Sequence, residues 1–300
     1  MKRREFLRTT ALGIAGTSLV TVFNSHVFAQ DSFPDVVWVE NGQPKNLLQT
    51  AFKEIGGIHR FISKGDIVVV KPNMSWDKSP EYAATTNPEL LSELVKMCLN
   101  AGAKEVKVFD RTCNNPQRCY KNTQLEEVAS AAGANVTQIR KNRFKDKAIP
   151  NGEMIKEWPI YEDYLEADKV INLPIAKHHS LSRVTLGMKN LMGVMGGQRG
   201  SIHSGFSKKI VDIGSELMPT LTIIDAYRIL TRSGPQGGSL DDVKLTKTLI
   251  MSPCMVTADC TALNLFDLNL EQVGHLDEAV RRGLNKYDLN NLQIRKLSLS

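Results

Sequence analysis

The chain has 300 residues, with 38 lysines and arginines against 32 aspartates and glutamates, for a formal charge of +6. Residues 1–29 hold four of the basic side chains and one of the acidic ones, so the rest of the chain carries +3. That mild excess, with no basic run interleaved with aromatics, excludes a nucleic-acid groove, and the 42% apolar content is enough for one substantial core.

The first element is a targeting segment. Lys2, Arg3, Arg4 and Arg8 form a basic region, followed by an uncharged run from Thr9 to Phe23. Arg3-Arg4-Glu5-Phe6-Leu7-Arg8 matches the twin-arginine export pattern, and Val27-Phe28-Ala29 predicts cleavage before Gln30. The expected organisation is a signal peptide over 1–29 and a single α/β domain over 30–300. The expected export partner is the twin-arginine translocase, with a periplasmic location. The uncharged run falls short of the roughly 20 apolar residues of a spanning helix, so a retained anchor is the lesser alternative. No membrane span is expected in the mature chain. Twin-arginine export carries folded passengers and suits a protein that loads a cofactor or metal inside the cell, but it names neither.

The β-branched run Ile67-Val68-Val69-Val70 predicts a buried parallel strand ending in Lys71-Pro72-Asn73. Asn87-Pro88 then opens an amphipathic helix with Leu90, Leu91, Leu94, Val95 and Leu99 on one face, and a second strand, Val106 to Phe109, ends at Asp110-Arg111. This strand–helix–strand crossover points to an α/β fold, a mostly parallel sheet flanked by helices in Rossmann-like layers. Further along, a helix is expected over Gln124 to Ala132, a short strand over Asn135 to Ile139, an irregular stretch to Pro159 and a buried strand over Lys169 to Leu173. A strand over Leu221 to Ile224 ends in Asp225, and another covers Thr248 to Met251. Helices are expected from Thr257 to about Leu270 and from Leu276 to Leu284, before a tail strand over Leu292 to Leu297.

The five cysteines, at 98, 113, 119, 254 and 260, include no Cys-x-x-Cys set for an iron–sulfur cluster and no haem attachment motif. Cys113 and Cys119 flank the turn-forming Asn114-Asn115-Pro116, which allows a small-loop disulfide or, alternatively, a pair of thiolate metal ligands.

Ligands of open α/β sheets bind beyond the carboxyl ends of the strands. Here those ends carry Lys71 and Asn73, then Asp110 and Arg111, then Asn172 followed by Lys177, His178 and His179, then Asp225. Between Asn172 and Lys209 several cations, Lys189, Arg199 and His203 among them, alternate with six glycines, and Asn190 falls in the same stretch. Cations beside glycines, which let backbone N–H groups approach a ligand, suggest a small anionic ligand. Lys71, Asn73, Lys177, Lys189 and Asn190 would hold that ligand or a cofactor. In an enzyme His178 or His203 would act as general acid or base, with Asp110 or Asp225 orienting a histidine. No P-loop, dinucleotide fingerprint or nucleophile elbow names the cofactor or the reaction. A non-catalytic metal or redox accessory protein, with His178, His203 and Asp110 or Asp225 as ligands, is the alternative, and a plain scaffold is a third.

The chain resembles the domain of unknown function 362 family through Ile67-Val68-Val69-Val70-Lys71-Pro72-Asn73, Asn172-Leu173-Pro174, Lys177-His178, Thr185-Leu186-Gly187-Met188-Lys189-Asn190-Leu191-Met192-Gly193 and His203. The resemblance continues through Ile224-Asp225, Gly234-Pro235 and Ala258-Asp259. Many members of that family carry a ferredoxin-type cluster domain, and this sequence shows none, which removes the main reason to expect an electron carrier. His203-Ser204-Gly205-Phe206-Ser207-Lys208-Lys209 is also similar to a stretch of the nickel-pincer lactate racemase family, where the lysine binds a nicotinate-derived cofactor. Here the Gly-Gly expected before that lysine is missing.

Overall fold

The computed structural model describes residues 33–300, and the signal segment lies outside them. In chain order the first half contains β1 (Val36–Glu40), α1 (Pro44–Glu54), β2 (Ile67–Pro72), α2 (Pro88–Asn100), β3 (Glu105–Val108), α3 (Pro116–Asn122), α4 (Leu125–Ala131), β4 (Asn135–Val136), β5 (Phe144–Ala148) and β6 (Glu157–Tyr161). The second half contains α5 (Glu162–Leu165), β7 (Lys169–Leu173), β8 (Ile175–His179), β9 (Arg183–Thr185), α6 (Gly187–Asn190), α7 (Phe206–Ser215), β10 (Leu221–Leu230), β11 (Val243–Ser252), α8 (Met255–Ala262), α9 (Gly274–Arg281) and β12 (Ile294–Ser298). None of the described helices is long and apolar enough to cross a membrane.

The main sheet runs β12-β1-β11-β10-β7-β2-β3-β4. Along this order the pairings are parallel except for β1 with β11 and β10 with β11; off it, β8 joins β10 in parallel and β9 joins β8 antiparallel, so the fold is α/β with a mostly parallel sheet. Helices cover both faces. Val68 and Val70 of β2 pack into one core with Leu47 and Phe52 of α1 and Leu91 and Leu94 of α2, while Val69 points into a second core with Met188, Ile210 and Met255. That alternation is the two-residue period of a strand buried on both sides, and it explains why the run is β-branched throughout.

The crossover β2-α2-β3 follows the sequence closely. Asn87 caps α2 by accepting from the N–H groups of Glu89 (2.8 Å) and Leu90 (3.4 Å), and Pro88 fills the first helical position. The chain leaves β2 toward β3 on one side, while β7 pairs with β2 on the other, with Lys71 opposite Asn172. Divergence at the carboxyl end of β2 opens a crevice where polar side chains of β2, β3 and β7 gather.

Elsewhere the structure corrects the sequence reading. The stretch expected to be irregular before Pro159 contains the β5-β6 hairpin. Its first strand, Phe-Lys-Asp-Lys-Ala, is largely exposed and lacks an apolar face to reveal it. The strand expected to stop at Asp225 continues to Leu230, because the Asp225 carboxylate accepts from Tyr227 N (3.0 Å) and Asn87 N (2.7 Å) inside the fold. The helix expected to reach Leu270 ends at Ala262 and gives way to short 3₁₀ turns. No element is read from sequence before Ile67, where the structure has β1 and α1. Cys113 and Cys119 are free thiols, the first exposed and the second buried with its Sγ 3.7 Å from the Ser75 carbonyl.

Candidate functional site

The crevice has a rigid polar floor. Lys71 is completely buried, its Nζ lying 2.8 Å from Asp110 Oδ1 and donating to the Pro72 carbonyl (2.7 Å) and Asn190 Oδ1 (3.0 Å). Asn190 is the hub of this floor. Its Oδ1 also accepts from Asn73 Nδ2 (3.0 Å), while its Nδ2 donates to Asn172 Oδ1 (2.8 Å) and the Lys71 carbonyl (3.2 Å). One amide thereby ties β2, β7 and α6 together and leaves few of its own hydrogen-bonding positions unused. Asp259 holds the start of α6 from below, accepting from Gly187 N (2.7 Å) and Met188 N (2.8 Å). Burial pushes the Asp259 carboxyl up to about 7 against the pull of those two bonds.

Above the floor lies a cavity of about 490 Å³. Asn73, Lys177, Lys189, Asn190 and His203 line it, joined by Arg111, Arg199 and His179. Trp76, Leu181 and Met192 supply an apolar wall, and among the described residues no aspartate or glutamate is on the lining. Lys177 donates to Asn73 Oδ1 (3.4 Å) and to the Ala84 carbonyl, and it faces no carboxylate at bonding distance among the described residues. Burial, reinforced by Lys189 and Lys71, lowers its ammonium to about 7 even though Cys113 and Asp110 oppose the shift. Burial likewise lowers Lys189 to about 8.

Lys189 Nζ lies 2.8 Å from Met192 Sδ and 3.3 Å from His203 Nε2. His203 Nδ1 is 3.1 Å from the Gly200 carbonyl, which can only accept, so the ring proton belongs on Nδ1 and the Nε2 lone pair faces the lysine. Burial first and Lys189 second hold His203 below the ordinary histidine range. His179 Nδ1 accepts from Leu181 N (3.1 Å) and Ser182 N (3.4 Å), which places its proton on Nε2, and burial drops its pKa to about 3. The His179, His203 and Phe206 rings stack in series with centroid spacings of 6.5 and 6.0 Å. Both histidines are therefore neutral at ordinary pH.

The two arginines hold the walls. Arg199 donates to the carbonyls of Arg111 (2.6 Å), Thr112 (3.0 Å) and Met192 (3.2 Å), while Arg111 donates to those of Met195 (2.7 Å) and Gly197 (3.2 Å). They clasp the loop after β3 to the segment after α6.

The structure separates the other expected residues from this cavity. Lys71 lies beneath the lining, and the Asp110 carboxylate is spent on it and on Met74 N (2.6 Å). Asp225 sits behind the start of α2, its carboxyl pushed up to about 7 by burial. His178 faces a different cavity with Arg183 and Lys244, its Nδ1 accepting from Gly234 N (3.1 Å). Neither Asp110 nor Asp225 bonds to a histidine among the described residues, so backbone groups orient His179 and His203 in their place. Strand parity explains the exchange of His178 for His179: along β8, residues 177 and 179 share a face and 178 takes the other. The metal set of His178, His203 and an aspartate does not form, and no three His, Cys, Asp or Glu side chains converge among the described residues. The lysines of the racemase-like stretch also stay off the central lining, Lys208 pairing with Glu153 (2.9 Å) and Lys209 donating to the Ser201 carbonyl (3.2 Å).

Among known proteins, the chain is 24% identical over 246 residues to the thylakoid-associated protein sll1697 of Synechocystis sp., covering 79% of this chain and 74% of that one. The fold is similar to the lactate racemase apoprotein from Thermoanaerobacterium thermosaccharolyticum, with 13% identity and a TM-score of 0.46 over 71% of this chain. It is also similar to a Thermotoga maritima protein, with 12% identity and a TM-score of 0.45 over 75% of this chain. The chain spans 53% and 58% of the lengths of these two structures. The stretch that builds the floor and most of the cavity falls within residues 68–264, which match the model of the family described as domain of unknown function (DUF362), and the chain belongs to that family.

Proposed function

We propose that this protein binds a small organic anion in the cavity above Asn190 and performs proton transfer on it with Lys189 and His203. One observation carries the reading: Lys177, Lys189, Arg111 and Arg199 line one cavity that has no carboxylate on its lining among the described residues. Two unit positive charges about 6 Å apart repel by roughly 3 kcal/mol at an effective dielectric of about 20. A bound carboxylate or phosphate relieves that repulsion and gives the buried ammonium groups a counterion. The Trp76, Leu181 and Met192 wall suits an organic body attached to the charged group. His203, neutral with its Nε2 lone pair toward the cavity-lining Lys189, is placed to accept a proton. We further propose that twin-arginine export delivers the folded protein to the periplasm.

The binding test is calorimetric titration of the purified mature protein with small mono- and dicarboxylates, organic phosphates and an uncharged analogue of each. Saturable binding of an anion, lost in Lys177→Met and in Lys189→Met, supports the site. Equal binding of the uncharged analogues, or no anion bound at millimolar concentration, sinks it. For export, replacing Arg3 and Arg4 together with lysine should leave unprocessed protein in the cytoplasmic fraction.

A further inference from the structure

We propose that Lys189 is a nucleophile that forms an imine with the carbonyl carbon of a 2-oxo acid. The inference rests on the anion-site reading above and deepens it by naming the reacting atom and the substrate class. Three buried lysines meet at this crevice, and their surroundings divide the roles. Lys71 is locked against Asp110 at 2.8 Å and lies beneath the lining, where no substrate reaches it. Lys177 is held by two oxygen acceptors, the Ala84 carbonyl and Asn73 Oδ1, with no base in hydrogen-bonding reach. Two of its three N–H groups are thereby used, and the third is available for a carboxylate. Of the two lysines on the lining, Lys189 is the one with a base beside it among the described residues, His203 Nε2 at 3.3 Å, and its other partner is a thioether, a weak acceptor that a reacting amine leaves at little cost.

The chemistry balances without a further reagent. Lys189 releases one proton to solvent to become an amine, which its depressed pKa of about 8 makes cheap near neutrality. The amine nitrogen attacks the carbonyl carbon, and the C=O π pair moves to oxygen. His203 Nε2 takes a proton from the attacking nitrogen and passes it to that oxygen, giving the carbinolamine, then carries the second N–H proton to the hydroxyl group, which leaves as water while the C=N bond forms. The sum is amine plus ketone to imine plus water. Lys177 anchors the carboxylate, and the same His203 is then placed to remove a proton from the carbon next to the imine.

The experiment uses pyruvate and phenylpyruvate with the mature protein, each in the presence of sodium borohydride, followed by intact mass measurement and peptide mapping. Binding of the same acids without borohydride is measured separately by calorimetry. A single reduced adduct on Lys189, absent in Lys189→Arg and formed at least tenfold more slowly in His203→Gln, is the expected result. Wild-type protein should also exchange deuterium into the pyruvate methyl group from heavy water, and Lys189→Arg should not. Binding without an adduct, or label spread over exposed lysines, overturns the imine and leaves the anion site standing. Failure of both acids to bind or to label overturns the imine alone, unless the wider anion panel also fails, in which case both readings fall. Circular dichroism and thermal melting of the two variants separate loss of chemistry from loss of fold.

Discussion

The Lys71 ammonium and the Asp110 carboxylate meet at 2.8 Å where neither side chain is more than 1% exposed, joining the ends of the two adjacent parallel strands beneath the cavity. Breaking such a pair by removing one charge leaves the other buried without a partner, which typically costs about 3–5 kcal/mol. Asp110→Asn should therefore lower stability by about that much in urea titration. Asp110→Asn combined with Lys71→Met should recover part of the loss, because no charge is then stranded. If the single variant were as stable as the parent, the pair would not be holding the floor.

Directly over that pair lies Gly193. A β-carbon at this position would come within 1.8 Å of Asp110 Oδ1 and 2.4 Å of Lys71 Nζ, side chains that have nowhere to move. Close-packed interiors absorb added methyl groups poorly, commonly at about 1–3 kcal/mol and more where charges are displaced. Gly193→Ala is expected to lose at least as much stability as Asp110→Asn, whereas Gly200→Ala, with open space around it, should be neutral. Denaturant midpoints of the two glycine variants check the contrast.

Arg199 spends its guanidinium on three carbonyls, two of them in the loop after β3. Buried acceptors left without a donor cost about 1–3 kcal/mol in all when only part of the set rehydrates. Arg199→Ala should free residues 111–113, seen as faster amide exchange at Arg111 and Cys113, and weaken anion binding more than tenfold. Arg199→Lys restores charge without the planar fork and should recover affinity only in part. Exchange rates unchanged from the parent would remove the clasp from the account.

Several of these residues are legible in the amino-acid sequence itself, and the reason is local. Ile67 to Val70 is an apolar run of strand length, Asn87-Pro88 is a cap, and together they place Lys71 and Asn73 at a strand end. The lining is half visible in the cations and glycines after Asn172. Parity and depth stay hidden. Ile175 to His179 follows Pro174 so closely upon β7 that it does not read as a strand of its own, and without its two-residue period nothing tells His179 from His178. Asp225 after an apolar run reads as a strand end, because the backbone donors that satisfy it come from Asn87, far away in sequence, and from Tyr227. Arg111 and Arg199 read only as charges, since their bonds to carbonyls on opposite walls depend on long-range packing that composition does not encode.

The lysines also set a pH dependence whose sign follows from burial. In the unfolded chain a lysine keeps its proton to about 10.4, while in the fold Lys177 releases it near 7 and Lys189 near 8. Between those limits the unfolded state binds more protons, so the stability of the ligand-free protein should rise as pH increases from about 7 toward 10. Anion binding should run the opposite way, because the bound anion needs the charged lysine. Above pH 8 the dissociation constant of a carboxylate that does not react should rise by up to about tenfold per pH unit for each lysine that must be recharged. In Lys177→Met one of those protons is gone, and the rise in ligand-free stability between pH 7 and 10 should be shallower. Calorimetric titrations from pH 6 to 9, with thermal melts of the ligand-free protein over the same range, measure both trends. A ligand-free protein that loses stability across that window, or an affinity indifferent to pH, would mean that neither ammonium carries its charge into the cavity.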